Sequence, residues 1–120
     1  MAAIHEVRVR RAYDAPEQDD GSRVLVDRLW PRGLAKTKAH LDEWCKQVAP
    51  STELRQWYHH DPDLFEEFER RYRGELNDPE RAHTLAHLRE LAKTGNLTLI
   101  TATKQPDISE AEVLAEMLRG

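Results

Sequence analysis

The sequence has one cysteine, few aromatic residues and no hydrophobic run long enough to cross a membrane. A single cysteine cannot form an internal disulfide, and a bilayer span needs about 20 consecutive apolar residues. The first residues also carry charges where a secretory signal would need an unbroken apolar segment. These absences argue against a membrane protein and a disulfide-stabilised secreted domain, so we expect a cytoplasmic protein without a membrane partner.

Complete motifs for common cofactors and catalytic groups are also missing. Neither GxGxxG nor GxxxxGK[ST] occurs, and no GxSxG surrounds a serine. His83 and His87 have helical i,i+4 spacing, but no glutamate follows His83 and no third ligand stands at a diagnostic distance. Cys45 lies beside Trp44 in an apolar pattern, where a thiol behaves as a small hydrophobe. The sequence therefore predicts no cofactor and no metal site.

Charge is unevenly distributed along the 120 residues. The net charge is −4, with 8 Lys/Arg against 6 Asp/Glu in residues 1–40 and 10 against 16 in the remainder. An acidic majority argues against broad nucleic-acid binding, which usually needs a basic face. A small anionic ligand near the basic first segment is the better expectation.

Three segments have strand patterns. Residues 4–11 alternate apolar and charged side chains imperfectly, and residues 97–103 (LTLITAT) are β-branched and uncharged. Residues 22–29 carry apolar side chains on both faces, as a central strand does. Pro31 ends regular pairing because it has no backbone N–H, and Gly33 permits a sharp turn.

Helical patterns fill most of the rest. We predict helices over 41–48, over 51–59 with Ser51 as its cap, and after Asp61-Pro62 and Asp78-Pro79, where proline suits the first helical position. A final helix begins with an apparent capping box of Ser109 and Glu112. Strands separated by helices favour parallel pairing. We therefore predict one α/β domain over 1–120, with a small, mainly parallel sheet of about three strands flanked by about five helices.

The candidate site lies where the strands end, because ligands of open parallel sheets bind beyond the carboxyl ends of the strands. Arg28, Arg32 and Lys104 are expected to meet there and hold a phosphate or carboxylate. Trp30 could stack on a planar group, and Asp27 could orient an arginine or act as a base.

Structural roles are the alternative for the same residues. Arg28 could pair with Asp27 or Glu75, Trp30 could fill the core, and Arg32 could be solvated. Asp27 could make a salt bridge or a turn hydrogen bond. The segments 41–48 and 51–59 superficially suggest a DNA-binding helix-turn-helix, but the second is too poor in Lys and Arg.

The longest specific motif is DGSRVLVDRLWPRGL, preceded by RAYD and followed in order by APS, LR, RY, EL and TLITATK. With these motifs the chain resembles the domain-of-unknown-function 488 family, and its small YeaO-like members in particular, over almost its whole length. The resemblance implies a compact cytoplasmic α/β domain and no established reaction. It also implies the shared site positions Arg11, Tyr13, Asp27, Arg28, Trp30, Arg32, Gly33 and Lys104.

One departure from the family pattern concerns the end of the last strand. Family members commonly continue with Lys-Asp and an Asn-rich helix start, whereas here Gln105 follows Lys104 and SEAEVL opens the helix. The resemblance therefore implies that any chemistry using that aspartate is lost or altered in this chain.

Two hypotheses follow from these observations. The first is a domain that binds an anionic or nucleotide-like small molecule at the strand-end basic turn, with Asp27 as candidate base if the protein is an enzyme. The second is a noncatalytic regulatory or interaction module, which could contact nucleic acid through Arg8, Arg10, Arg11 and Arg32.

Overall fold

Four parallel strands form the sheet in the computed structural model, which describes residues 5–120. The strands are β1 (Val7–Arg11), β2 (Ser22–Leu25), β3 (Glu43–Trp44) and β4 (Leu97–Thr101). Their order is β1-β4-β2-β3, so β4 and β2 lie inside the sheet. All five residues of β4 are buried, which fits its uncharged, β-branched sequence. The prediction of one α/β domain with a parallel sheet is confirmed, with four strands where about three were expected.

The short strand β3 lies within a segment that we predicted to be helical. The apolar spacing of residues 41–48 matched a helix, but Asp42 N donates to Arg23 O and Cys45 N donates to Leu25 O, each at 2.8 Å. These bonds pair the segment with β2, and only a 3₁₀ turn, Lys46–Val48, follows. The helix prediction was wrong because eight residues of apolar spacing do not separate a helix from an edge strand. Without this helix, the helix-turn-helix alternative also falls.

Strand β2 ends earlier than predicted, at Leu25 instead of Leu29. The backbone makes one more bond to β4, from Val26 N to Ile100 O at 3.1 Å, and then leaves the sheet. Beyond this point the Asp27 side chain accepts a hydrogen bond from the backbone just after β4, with Ala102 N at 2.8 Å. The VLVDRLWPRG segment therefore changes from strand to loop at Asp27, and Leu29 is 71% exposed.

Within residues 5–120, five α-helices connect and cover the strands: α1 (Lys36–Ala39), α2 (Thr52–Tyr58), α3 (Phe65–Glu75), α4 (Pro79–Thr94) and α5 (Glu110–Arg119). Ser51 caps α2 as predicted, since its Oγ accepts from Leu54 N at 3.1 Å. Asp61 accepts from Asp63 N at the start of a 3₁₀ turn that leads into α3. None of the helices within residues 5–120 is long and apolar enough to span a bilayer.

Two expected helix caps do not form. Asp78 precedes α4 but makes no capping hydrogen bond, and its carboxylate instead lies 3.6 Å from Arg81 Nη1. Ser109 precedes α5, but its hydroxyl donates to Pro106 O at 2.7 Å. Glu112 pairs with Arg119 at 3.2 Å, so the predicted capping box is absent. In each case another partner for the same side chain competes successfully with the cap.

The core divides between the two faces of the sheet. Most buried residues form one large cluster, which includes Phe68, Tyr72 and Leu88 from the longer helices. On the alternate face, Leu25 and Ile100 form a smaller cluster with Ala12, against which Trp30, Leu34 and Leu41 pack. The loop after β2 thus covers the second face, which places the basic turn at the carboxyl edge of the sheet.

Candidate functional site

A cavity of about 390 Å³ opens at the carboxyl edge of the sheet. Its size is within the range usual for small-molecule sites. Five of the eight predicted site residues line it: Tyr13, Asp27, Arg28, Trp30 and Arg32. Arg11, Gly33 and Lys104 do not.

The basic turn after β2 presents Arg28 and Arg32 as exposed side chains. The turn is closed by a backbone bond from Leu34 N to Pro31 O at 3.3 Å. Gly33 has a φ of 77°, a conformation that favours glycine, so its predicted role in the turn is confirmed. The ion pairs among residues 5–120 leave both arginines without a carboxylate partner.

Trp30 is held at the cavity wall from both sides. Its Nε1 donates to Leu34 O at 2.7 Å, and its ring meets the ring of Trp44 edge-on with 5.5 Å between centroids. The side chain is partly buried and packs against the smaller core cluster. Trp30 is therefore both a core residue and a fixed flat wall of the cavity.

Tyr13 and Arg11 reach the same region from the end of β1. The Tyr13 hydroxyl donates to Arg32 O at 2.8 Å, and the Arg11 guanidinium lies over the Tyr13 ring, 5.4 Å from its centroid. Arg11 Nε donates to Thr103 O at 3.0 Å. Arg11 thus supports Tyr13, which in turn fixes the backbone of the basic turn.

Arg55, on α2, brings a third guanidinium to the cavity. One of its terminal nitrogens donates to Thr52 Oγ1 at 3.0 Å, but its Nε is buried without a hydrogen-bond partner within residues 5–120. A buried guanidinium donor without an acceptor is costly. Arg55 was missed as a site residue because no local pattern marks it.

Asp27 makes hydrogen bonds with both carboxylate oxygens. Thr101 Oγ1 donates to Oδ1 and Ala102 N donates to Oδ2, each at 2.8 Å. Its backbone carbonyl accepts from Trp44 Nε1 at 2.7 Å. These bonds fix Asp27 between β4 and β3, so it makes the turn hydrogen bonds considered as its structural alternative.

Glu110, the first residue of α5, lines the same cavity as Asp27. Burial is the main cause that raises the pKa of Glu110 well above its ordinary value, and the neighbouring carboxyl group of Asp27 raises it further. The raised pKa favours the protonated form of Glu110. The sequence did contain a signal for this residue, since it opens the helix that follows the last parallel strand.

Tyr58 anchors α2 against the turn that carries Glu110. Its hydroxyl donates to Ile108 O at 2.6 Å, and its ring stacks on Phe68 with 4.2 Å between centroids. Burial, followed by nearby acidic groups, raises the pKa of Tyr58 to about 12. Tyr58 and the exposed His60 also line the cavity, and neither was expected there.

Glu75 does not pair with Arg28, as one alternative proposed. Its carboxylate accepts from Ser51 N at 2.8 Å and from Ser51 Oγ at 2.5 Å. It thereby completes the amino terminus of α2 and holds that helix near α3. The pairing of Arg28 with Glu75 was wrong because the helix start claims the carboxylate.

Two of the three arginines of strand β1 are already bound to acidic groups. Arg8 donates to Glu6 and to Asp19, each at 2.8 Å, and Arg10 pairs with Glu17. These pairs neutralise Arg8 and Arg10, two of the four arginines through which the second hypothesis would contact nucleic acid.

Potential metal ligands are also engaged with protein groups. Glu17, Asp19 and Asp20 place carboxylate oxygens within 4.8 Å of one another, but arginines pair with all three. His87 Nε2 lies 2.7 Å from Glu43 Oε1. Cys45 is buried, and burial followed by the charge of Glu43 raises the pKa of its thiol to about 11, so the thiol is protonated and unreactive.

Taken together, the fold and the cavity define a small parallel α/β domain with a mixed-charge cavity at the carboxyl edge of its sheet. The sequence profile of a family described as "Inactive DUF488-N3 subclade" matches residues 6–120. The chain belongs to this family, and the resemblance drawn from its motifs is confirmed.

Its relatives are uncharacterised proteins of similar length. The chain is 50% identical over 120 residues to the uncharacterized protein Rv3073c of Mycobacterium tuberculosis, covering 100% of this chain and 99% of that protein. It is 43% identical over 114 residues to the uncharacterized protein YeaO of Escherichia coli, covering 95% and 97%. No solved structure matches the chain.

Proposed function

We propose that this protein binds a small anionic molecule in the carboxyl-edge cavity and does not convert it. The observation that carries the proposal is the convergence of Arg28, Arg32 and Arg55 on one cavity, with a buried Arg55 Nε that has no acceptor within residues 5–120. Guanidinium groups bind phosphates and carboxylates through short, charge-assisted hydrogen bonds. An anion would supply the acceptor that Arg55 lacks.

A binding role is favoured over catalysis by two features. Asp27, the candidate base, already accepts hydrogen bonds on both oxygens, which reduces its capacity to take a proton from a ligand. The family description names an inactive subclade, and Gln105 stands where family members commonly carry an aspartate. We therefore assign the retained arginines to recognition.

Lys104, which we expected at the same site, has a smaller part in the proposal. Its side chain is exposed and does not line the cavity. Within the proposal Lys104 contributes long-range attraction for an anion, which salt screens, whereas the three arginines make the contacts.

Inorganic phosphate tests the proposal in thermal unfolding. Because a ligand that binds only the folded state stabilises it, phosphate is expected to raise the Tm of the wild type in a concentration-dependent way at constant ionic strength. The double variant Arg28→Gln/Arg32→Gln should lose most of that rise. Both side chains are exposed and unpaired within residues 5–120, so its Tm without phosphate should stay near that of the wild type.

A charge-matched control is Lys36→Gln/Lys38→Gln on α1, whose two side chains are exposed and do not line the cavity. It removes the same two charges and should keep the full phosphate response. If both double variants respond to phosphate like the wild type, or lose the response equally, the cavity arginines are not the anion site.

A further inference from the structure

We infer that the ligand of the carboxyl-edge cavity is an aryl anion, in which an aromatic ring carries the phosphate or carboxylate that the arginines bind. This inference rests on the proposed anion site and specifies the class of its ligand. The observation that carries it is the lining of the cavity, which combines exposed arginines with buried apolar residues and several aromatic rings.

The depth of the cavity is the first step of the argument. Part of its lining is buried, and we call this part the floor; it includes Ala49, Tyr58, Phe68 and Thr101, each at most 3% exposed. The polar groups of the floor are already bonded, since the Tyr58 hydroxyl donates to Ile108 O at 2.6 Å and Thr101 Oγ1 donates to Asp27 at 2.8 Å. The floor therefore suits an apolar group, whose transfer out of water is favourable.

The size of the cavity is the second step. Arg28 and Arg32 are exposed at its opening and would hold the anion there with Arg55. A volume of about 390 Å³ is within the range that accommodates a drug-sized molecule, so inorganic phosphate would fill only part of it. A ligand that joins an anion to an apolar body would use both the arginines and the floor.

The acidic residues of the lining favour a neutral body over a second charged group. Asp27 and Glu110 line the cavity, and an ionised carboxylate repels an anion beside it. Both oxygens of Asp27 accept hydrogen bonds from the protein, and burial raises the pKa of Glu110, which favours its neutral form. An uncharged body can lie beside these groups without repulsion.

The aromatic side chains distinguish a ring from an aliphatic chain as that body. The sequence has eight Phe, Trp and Tyr residues, and half of them line this cavity: Tyr13, Trp30, Tyr58 and Phe68. Trp30 is fixed by its hydrogen bond to Leu34 O and its edge-on contact with Trp44. Offset-stacked or edge-to-face contacts between rings stabilise beyond the area that they bury. The lining therefore favours an aromatic ring.

Calorimetric titration with phenyl, cyclohexyl and inorganic phosphate tests the inference. The two esters have the same number of carbon atoms, and at about pH 8 both are dianions, since the second pKa of a phosphate monoester is about 6. Burial of its ring should make phenyl phosphate bind about tenfold to a hundredfold more tightly than inorganic phosphate. Contacts between rings should make it bind about twofold to tenfold more tightly than cyclohexyl phosphate, which area burial alone would not do.

Trp30→Leu and Trp30→Phe are the matched variants, because both lose the Nε1–H that donates to Leu34 O but only Trp30→Phe keeps a ring. Trp30→Leu should lose most of the preference for phenyl over cyclohexyl phosphate, whereas Trp30→Phe should keep part of it. Trp57→Leu changes a tryptophan that does not line the cavity and should keep all of it.

The wild type decides the inference even where Trp30→Leu fails to fold. If phenyl phosphate binds the wild type no more tightly than cyclohexyl phosphate, or no more tightly than inorganic phosphate, the inference is overturned and the anion site stands. Wild-type preference in a folded Trp30→Leu variant would overturn the assignment of Trp30 to ring binding. Absence of inorganic phosphate binding in the wild type would instead overturn the proposed function on which the inference rests.

Discussion

Arg55→Gln is expected to lower the affinity for inorganic phosphate by about tenfold to a hundredfold, the range for a lost hydrogen bond to a charged group. Its free energy of unfolding should be unchanged or higher, because the substitution removes a buried Nε–H that has no acceptor within residues 5–120. Lower affinity without lower stability is characteristic of a binding residue. Calorimetric titration and urea unfolding measure the two quantities separately.

Lys38→Gln is the control for this prediction, since it removes one positive charge from an exposed position outside the cavity. Its phosphate affinity should fall only slightly, through weaker long-range attraction that disappears at high salt. A phosphate affinity of Arg55→Gln that matches that of Lys38→Gln would remove Arg55 from the site.

Arg23→Met is expected to lower the free energy of unfolding by about 3–5 kcal/mol, the usual cost of breaking a buried ion pair from one side. Arg23 and Asp20 are 5% and 1% exposed, and Arg23 Nη1 lies 2.6 Å from Asp20 Oδ2. The same guanidinium donates to the backbone oxygens of Ala39 and His40. Its loss leaves a buried carboxylate and two carbonyls without their partner, and urea unfolding measures the effect.

Arg70→Met provides the comparison for Arg23→Met. Arg70 pairs with Glu67 at 2.6 Å, but its side chain is 76% exposed, so we expect a loss below about 1 kcal/mol. Adding Asp20→Leu to Arg23→Met should restore part of the stability, because the uncompensated carboxylate is then removed. Similar losses in the free energy of unfolding for Arg23→Met and Arg70→Met would contradict the claim that burial makes the Arg23–Asp20 pair costly to break.

The sequence was sufficient to predict the parallel α/β class because the buried strands and the proline-initiated helices have strong local patterns. Strand β3 could not be predicted in this way. Its pairing depends on backbone bonds from Asp42 and Cys45 to β2, about twenty residues earlier in the chain, and two residues are too few to show strand periodicity. The end of β2 was also misjudged, because the competing acceptor is the side chain of Asp27.

The candidate site was predicted only in part, because some of its residues lie far apart in the chain. Asp27, Arg28, Trp30 and Arg32 are neighbours in the chain, so one motif and the strand-end rule were enough to bring them together as a hypothesis. Arg55 and Glu110 reach the same cavity from α2 and α5, and only tertiary packing brings these helices to the loop after β2. The residues that the sequence analysis missed are therefore those that lie far along the chain from the motif and reach it only in the folded structure.

The most direct test of the central claim is a crystal structure of the protein grown or soaked with inorganic phosphate. We expect an ordered phosphate in the carboxyl-edge cavity, accepting a hydrogen bond from Arg55 Nε and contacted by Arg28 or Arg32. An empty cavity at saturating phosphate, or phosphate bound only at the arginines of β1, would contradict the account.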